Sequence, residues 1–426
     1  MLKNFYRKFA SIRIGLGRPT PWMIWLGFLG FLLLIALVTG IAVFGQGLWI
    51  TNLTDLVPWG LWITIDLSSI ALAAGAFSLC AAVYLIGLKR YQPIARTATF
   101  IGLIGYTMAM LSLLLDIGRP DRFWHALVYW NPHSLLWEVT MAVMIYTTVL
   151  VLESLPILSS LEWLRNRYPK LAARMSHMHH YAPYLAIIGL GLSSLHQSSL
   201  GAVYGVLKSR PFWFKPELSV LFMFSGILGG ISLTLFASML SSRLTAKAKV
   251  NDGLIERLSH FVGWGLIAYF YFRFWDWLAM TYTYQPGRTE GLDFMTKGPL
   301  SFNFWIVEML FGILIPMVLL LYRKTRTNHF WRMTALFLVV SGVVAYRWDT
   351  NLAGLLVIVS YLPGESTVAY TSYTPSFVEW AAGMGIIAYG LLAFSLGVKY
   401  LRVVDHRLTD EKHETVKVKA TETVPA

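Results

Sequence analysis

A single cysteine, Cys80, stands in a chain of 426 residues. No internal disulfide can form, and thiolates of this chain alone cannot hold an iron–sulfur cluster. Cys80 lies in an apolar run, where packing is its expected role. Charge is almost as scarce, since Asp, Glu, Lys and Arg make up 13% of the residues against 56% hydrophobic ones. An ordinary soluble domain carries about 25% charged residues, so that class is excluded. Histidine is missing where a cytochrome would need it. Of ten histidines, only His196 lies well inside an apolar run, with His260 at the edge of another. A b-type haem in the membrane takes two axial ligands, so no haem is expected in this chain. No flavin motif is present either. The net charge of +13 would point to nucleic acid in a soluble protein, but here the basic residues sit in short stretches between apolar runs, where they orient a chain in a lipid bilayer. No nucleic-acid partner is expected.

What the chain does have is apolar runs of about 20 residues or more, the length that spans a bilayer as a helix. The expected fold is an all-α integral membrane protein of ten transmembrane helices, at about 22–45, 58–88, 97–117, 134–157, 180–200, 218–240, 258–283, 302–322, 333–359 and 377–401. Lys and Arg divide unevenly across this set, 26 on one side, counting Lys399 at the very end of the tenth span with the terminus, and 7 on the other, with Arg273 and Arg347 inside spans. That asymmetry places both termini in the cytoplasm. The basic amino terminus, with Lys3, Arg7, Lys8, Arg13 and Arg18, precedes an apolar run too long for a cleaved signal, so the first span is expected to stay in the membrane.

Spans 2–5 laid against spans 6–9 suggest a parallel repeat, with Glu138 and Glu308 entering spans 4 and 8 at similar depth. The organisation read from this is residues 1–57 as amino terminus and first span, 58–200 as a first four-helix bundle, 201–359 as a second, 360–404 as the last span and 405–426 as a disordered cytoplasmic tail.

Ionisable residues within apolar spans are costly, which makes function their default explanation. The stretch from Asp116 to Glu138, DIGRPDRFWHALVYWNPHSLLWE, gathers them between two apolar spans. Asp66, Asp116, Glu138 and His196 fall in the outer half of four successive spans, with Arg119 and His133 in the loop above. Such a pocket suits a lipophilic molecule whose polar head needs hydrogen bonds and protons. In the second bundle, Arg273, Asp276, Glu308, Arg347 and Asp349 form a similar set, for which ion pairing and a proton path are both open readings. The cluster His177, His179 and His180 lies in a basic loop and reads as chance or headgroup contact rather than metal binding. Composition alone allows a secondary transporter or ion-conducting protein as the alternative.

The motifs VPWGLWITID (Val57 to Asp66), LLLDIGR (Leu113 to Arg119), NPHSLLWE (Asn131 to Glu138), LHQSSLG (Leu195 to Gly201) and YRWDTNLAG (Tyr346 to Gly354) resemble those of the NrfD/PsrC family. Within it the chain is most similar to the branch that holds the HybB, DsrP and Hmc membrane proteins. The resemblance covers nearly the whole chain. It implies a quinone-reactive membrane subunit of a respiratory oxidoreductase complex in a bacterial or archaeal cytoplasmic membrane. Such a subunit has no redox cofactor of its own and takes menaquinone or another quinone as substrate. Its implied partners are an extrinsic iron–sulfur or cytochrome subunit on the outer face and a catalytic subunit beyond it. Carried onto matching positions, Asp66, Glu138 and His196 belong to the quinone or proton-handling region, with Asp116 and Arg119 close by. His133 departs from the pattern, standing where related sequences often have another polar residue.

Overall fold

The computed structural model describes residues 20–362, 365–401 and 403–406. The basic amino-terminal residues and nearly all of the expected disordered tail lie outside the described residues, as does the Tyr361 side chain.

Ten long helical rods make up most of what is described: α1 (Pro21–Gln46), α2 (Leu61–Tyr84), α3 (Gln92–Asp116), α4 (Leu135–Leu158), α5 (Ala182–Gly205), α6 (Glu217–Leu244), α7 (Asp252–Tyr282), α8 (Asn303–Leu321), α9 (His329–Leu356) and α10 (Phe377–Tyr400). Among the described residues, eight of these are long and apolar enough to cross a membrane. The other two, α5 and α7, have the length but carry the polar groups: Ser193, His196 and Gln197 on one, Arg273 and Asp276 on the other. The same residues that make these helices interesting thus lower their apparent hydropathy. The lipid reading rests on surfaces such as that of α1, which begins at Pro21 with Thr20 as N-cap and exposes Phe28, Phe31, Leu34, Leu37 and Ile41. So continuous an apolar face cannot stand in water.

Several boundaries differ from those read from the sequence, and each difference has a local cause. α3 starts at Gln92 rather than about 97, with Pro93 in its first turn where a missing N–H costs nothing. α7 starts at Asp252 rather than about 258, behind an Asn251 side chain that accepts from the Leu254 amide. α2 is broken at Ala74. α8 opens with a π-helical stretch, Asn303–Leu314, around Glu308. The ninth span ends at Leu356, three residues short of expectation, and the chain runs into an unforeseen antiparallel hairpin, β1 (Val357–Leu362) with β2 (Glu365–Tyr370). The β-branched residues of VIVSYL favour the strand. Arg210 Nη1 donates to the last-turn carbonyls of Gly354 and Leu355 at 3.4 and 3.1 Å, which closes the end of the helix.

In the packing, α2 lies on α3, α3 on α4, α4 on α5, and α5 returns to α2. In the same way α6, α7, α8 and α9 close on one another. α2 joins the two sets by packing on α6 and α9, while α1 pairs with α10, which leans on α3. The α2–α6 crossing is a backbone contact. A Cβ on Gly75 would lie 2.4 Å from the Gly230 carbonyl oxygen, and one on Gly230 would lie 2.1 Å from the Gly75 nitrogen. Neither position has room for a side chain, which is how helices approach closely where lipid supplies no hydrophobic drive.

Candidate functional site

Within four residues, α5 reaches three neighbouring helices. His196 Nδ1 meets the Tyr106 hydroxyl of α3 at 2.8 Å. Gln197 Nε2 donates to the Ile70 carbonyl of α2 at 2.7 Å. Ser199 Oγ donates to Glu138 Oε1 of α4, also at 2.7 Å. This is possible because the stripe Gly189, Ser193, His196, Gln197 and Leu200 follows helical spacing and is buried toward the bundle. Tyr106 is held in turn by an edge-on contact with Tyr146, ring centroids 4.7 Å apart.

The bonds that are missing matter as much. His196 is fully buried and its Nε2 has no partner; Asp66, 3% exposed, leaves Oδ1 unpartnered, and Asp116 Oδ1 and Gln197 Oε1 are likewise unsatisfied. Each buried orphan costs about 1–3 kcal/mol, so a cluster of them calls for a reason. When the Tyr106 hydroxyl donates to Nδ1, the neutral imidazole carries its proton on Nε2, the nitrogen left without a partner. The start of α2, below which Asp66 lies, is braced by Tyr373, whose hydroxyl accepts from the Leu61 amide at 2.9 Å and donates to Glu379. Glu379 also accepts from the Asn52 and Ser376 amides at 3.0 and 2.8 Å.

The second set of helices pairs four of its buried charges with one another. Lys215 Nζ lies 2.5 Å from Asp276 Oδ1, Arg273 Nη1 2.9 Å from Asp276 Oδ2, and Arg273 Nη2 2.5 Å from Glu308 Oε1. Asp349 accepts from Asn303 Nδ2 at 2.8 Å. Arg347 stands apart from the carboxylates: its Nη2 donates to the Phe222 carbonyl and to Ser225, and its guanidinium lies 3.7 Å from the Phe222 ring centroid.

Of the residues singled out in sequence, Asp66 and His196 are buried within one set of helices, and Glu138 and Asp116 are half-buried at its edge. Arg119 instead lies in the loop, paired with Asp121 at 2.9 Å, both side chains well exposed, and that hydrogen bond holds the Asp121 carboxyl below its usual range. His133 is exposed. Among the described residues no group of three or more His, Cys, Asp or Glu could hold a metal; His179 and His180 turn Nδ1 toward the Ser176 and His177 carbonyls. Sequence reasoning missed Tyr106, Gln197, Ser199 and Lys215. Gln197 and Ser199 stand inside the quoted LHQSSLG motif, and Lys215 sits two residues before a span, signals that could have found them.

A ten-rod helical molecule with buried polar groups converging at one end of a bundle is the architecture of a quinone- or ion-handling membrane subunit. The profile described as polysulphide reductase, NrfD, matches residues 49–360, and the chain belongs to the NrfD family. It is similar to the menaquinone reductase integral membrane subunit of Nitratidesulfovibrio vulgaris, 31% identical over 393 residues, covering 90% of this chain and 92% of that one. It is also similar to the Hdr-like menaquinol oxidoreductase integral membrane subunit of Archaeoglobus fulgidus, 27% identical over 372 residues, covering 85% and 89%. A third relative is the protein NrfD of Escherichia coli, 28% identical over 279 residues, covering 62% and 85%.

Proposed function

We propose that this chain is the quinone-reactive membrane subunit of a respiratory oxidoreductase complex, with α1 to α10 as ten crossings in two four-helix bundles and both termini cytoplasmic. Menaquinone is the favoured substrate, since two relatives are named for menaquinone or menaquinol. The observation that carries the reading is the His196 imidazole, fully buried, fixed through Nδ1 by Tyr106 and unpartnered at Nε2. Nε2–H donates to a quinone carbonyl oxygen and gives up its proton as the ring is reduced. Asp66 and Glu138, on helices packed against α5, are the nearby groups able to hold a second proton. Electrons come from an extrinsic subunit carrying iron–sulfur clusters or haems, docked on the outer loops, where Trp124, Tyr129, Trp130, Tyr282 and Tyr284 are exposed. The chain has no activity alone. For Arg273, Asp276 and Glu308 the ion-pairing role is the better supported one, because their charges are matched side by side.

The purified complex should contain quinone and catalyse an inhibitor-sensitive quinone redox reaction. Solute transport by the isolated chain in liposomes, with no quinone bound, would overturn this reading.

A further inference from the structure

The match to the family profile ends at residue 360, yet two residues past it reach back to the start of α2, the helix that carries Asp66. They are Tyr373, in the connection from β2 into α10, and Glu379, in the first turn of α10. Glu379 completes a capping box with Ser376, the N-cap of its own helix. That duty uses one amide. The same side chain, 1% exposed, also accepts from the Asn52 amide at 3.0 Å and from the Tyr373 hydroxyl, and the Glu379 carbonyl accepts from Trp62 Nε1 at 3.0 Å. The reach across to α2 is more than the cap of α10 requires.

On the α2 side these contacts fill a gap. The helix begins at Leu61 behind Gly60, which has no side chain to cap the first amides. Tyr373 supplies the acceptor, since its hydroxyl takes the Leu61 N–H at 2.9 Å. The bare Gly60 is what lets the phenol come so close: a Cβ there would lie 2.1 Å from the Tyr373 hydroxyl oxygen and 2.5 Å from Cζ. From α9, Asn351 Nδ2 donates to the Trp59 carbonyl at 2.8 Å and so holds the residue before Gly60. Leu61 and Asp66 lie on one unbroken helical stretch, about 7.5 Å apart along its axis, with no loop between them to absorb a shift. A change in the height or rotation of the first turn is therefore passed to the Asp66 carboxyl, whose Oδ1 is buried and unpartnered.

We propose that Tyr373 and Glu379 are positioning residues of the quinone site, which set the depth and rotation of Asp66 through the Leu61 amide and the Trp62 indole. This rests on the reading of Asp66 as a group that holds a proton during quinone chemistry. Neither residue touches quinone. Glu379 fixes the phenol, the phenol fixes the first turn of α2, and that turn fixes the carboxyl. The last helix of the chain, outside the residues that match the family profile, thereby takes part in the reaction of the first bundle.

The test uses the complete complex, with electrons supplied through its own donor. Tyr373→Phe keeps the ring against Gly60 and removes only the hydroxyl. It should lower kcat for quinone about fivefold, the effect of one hydrogen bond, with KM, quinone content and yield of complex near wild type. In redox-induced infrared difference spectra, the carboxyl signal that Asp66→Asn abolishes should be shifted by Tyr373→Phe. Tyr370→Phe, which alters an exposed phenol of β2, should leave both rate and signal unchanged. A wild-type rate in Tyr373→Phe, or a lowered rate with the Asp66 signal unmoved, would overturn the proposal while leaving the quinone reading intact. So would the absence of any Asp66 signal from the wild type, because the effect is assigned to that carboxyl. A rate that falls only as far as the yield of assembled complex falls would return Tyr373 to a purely structural role. A wild-type complex without quinone chemistry would overturn both readings.

Discussion

Glu138 and Glu308 both lie near the start of their helices, and what each meets there differs. Glu308 meets Arg273 within a row of alternating charges that continues to Asp276 and Lys215. Among the described residues Glu138 meets the hydroxyl of Ser199, and on the helices of the same set Asp66, Asp116 and His196 each retain an unpartnered atom. Both bundles bear the cost of desolvating ionisable groups. One offsets part of it with opposite charges held in place, the arrangement that fixes helices relative to each other, although Glu308 Oε2, Asp349 Oδ2 and Arg347 Nε and Nη1 also lack partners; the other holds its carboxyls and imidazole with no salt bridge among the described residues, the arrangement that a substrate can complete. The two sets differ in ion pairing rather than in the number of unpartnered atoms, and the unpaired one is the better match to a neutral ligand that exchanges protons.

The sharpest way to break this comparison is to strip a charge from the paired bundle. Arg273→Ala leaves Asp276 and Glu308 buried without their shared cation, a loss of about 3–5 kcal/mol. Poor accumulation and a lower unfolding temperature in detergent should follow; wild-type stability would mean that the network is not a structural element. The corresponding change in the open bundle, His196→Ala, should spare assembly and cut quinone turnover at least tenfold, or about 1.4 kcal/mol in transition-state terms. His196→Gln should keep quinone binding better than turnover, because an amide donates a hydrogen bond but does not shuttle protons. If the Ala variant instead loses yield while each assembled complex works normally, His196 belongs with the structural residues.

A smaller effect is expected from Tyr106→Phe, which removes one hydrogen bond to His196, of the order of 1 kcal/mol or about fivefold in rate. The loss should fall on kcat more than on KM, since the imidazole remains while its orientation and proton supply are disturbed. Tyr346→Phe makes the matched control in the paired bundle: its hydroxyl has no partner, so turnover should hold. The smallest change should come from Arg119→Gln, where an exposed pair with Asp121 is lost and quinone turnover should stay within about twofold. A tenfold loss there would bring the loop into the site.

The long apolar helices were legible because lipid-facing residues must be apolar for about 20 positions at a time, and few other folds leave that trace. The ionisable residues of the candidate site stood out in sequence for the same reason, as expensive exceptions. Tyr106, Gln197 and Ser199 did not, because Tyr, Gln and Ser are tolerated on many helix faces and gain meaning only from the neighbour across the contact. Hairpin β1–β2 was hidden because VIVSYL continues the apolarity of α9, and a short apolar run does not declare helix or strand. The break in α2 beside Gly75 depends on how tightly α6 approaches, a fact of packing that no single segment contains.

The triple reach of α5 sets a limit on how such a molecule can vary in length. His196, Gln197 and Ser199 hold their partners on three helices only because they share one angular phase along a single rod. One residue gained or lost upstream within that rod would turn all three by about 100° together, away from α2, α3 and α4 at once. No compensating change in one partner could recover more than a third of the arrangement. Insertions are therefore confined to the connecting loops, and the helix itself acts as a fixed ruler.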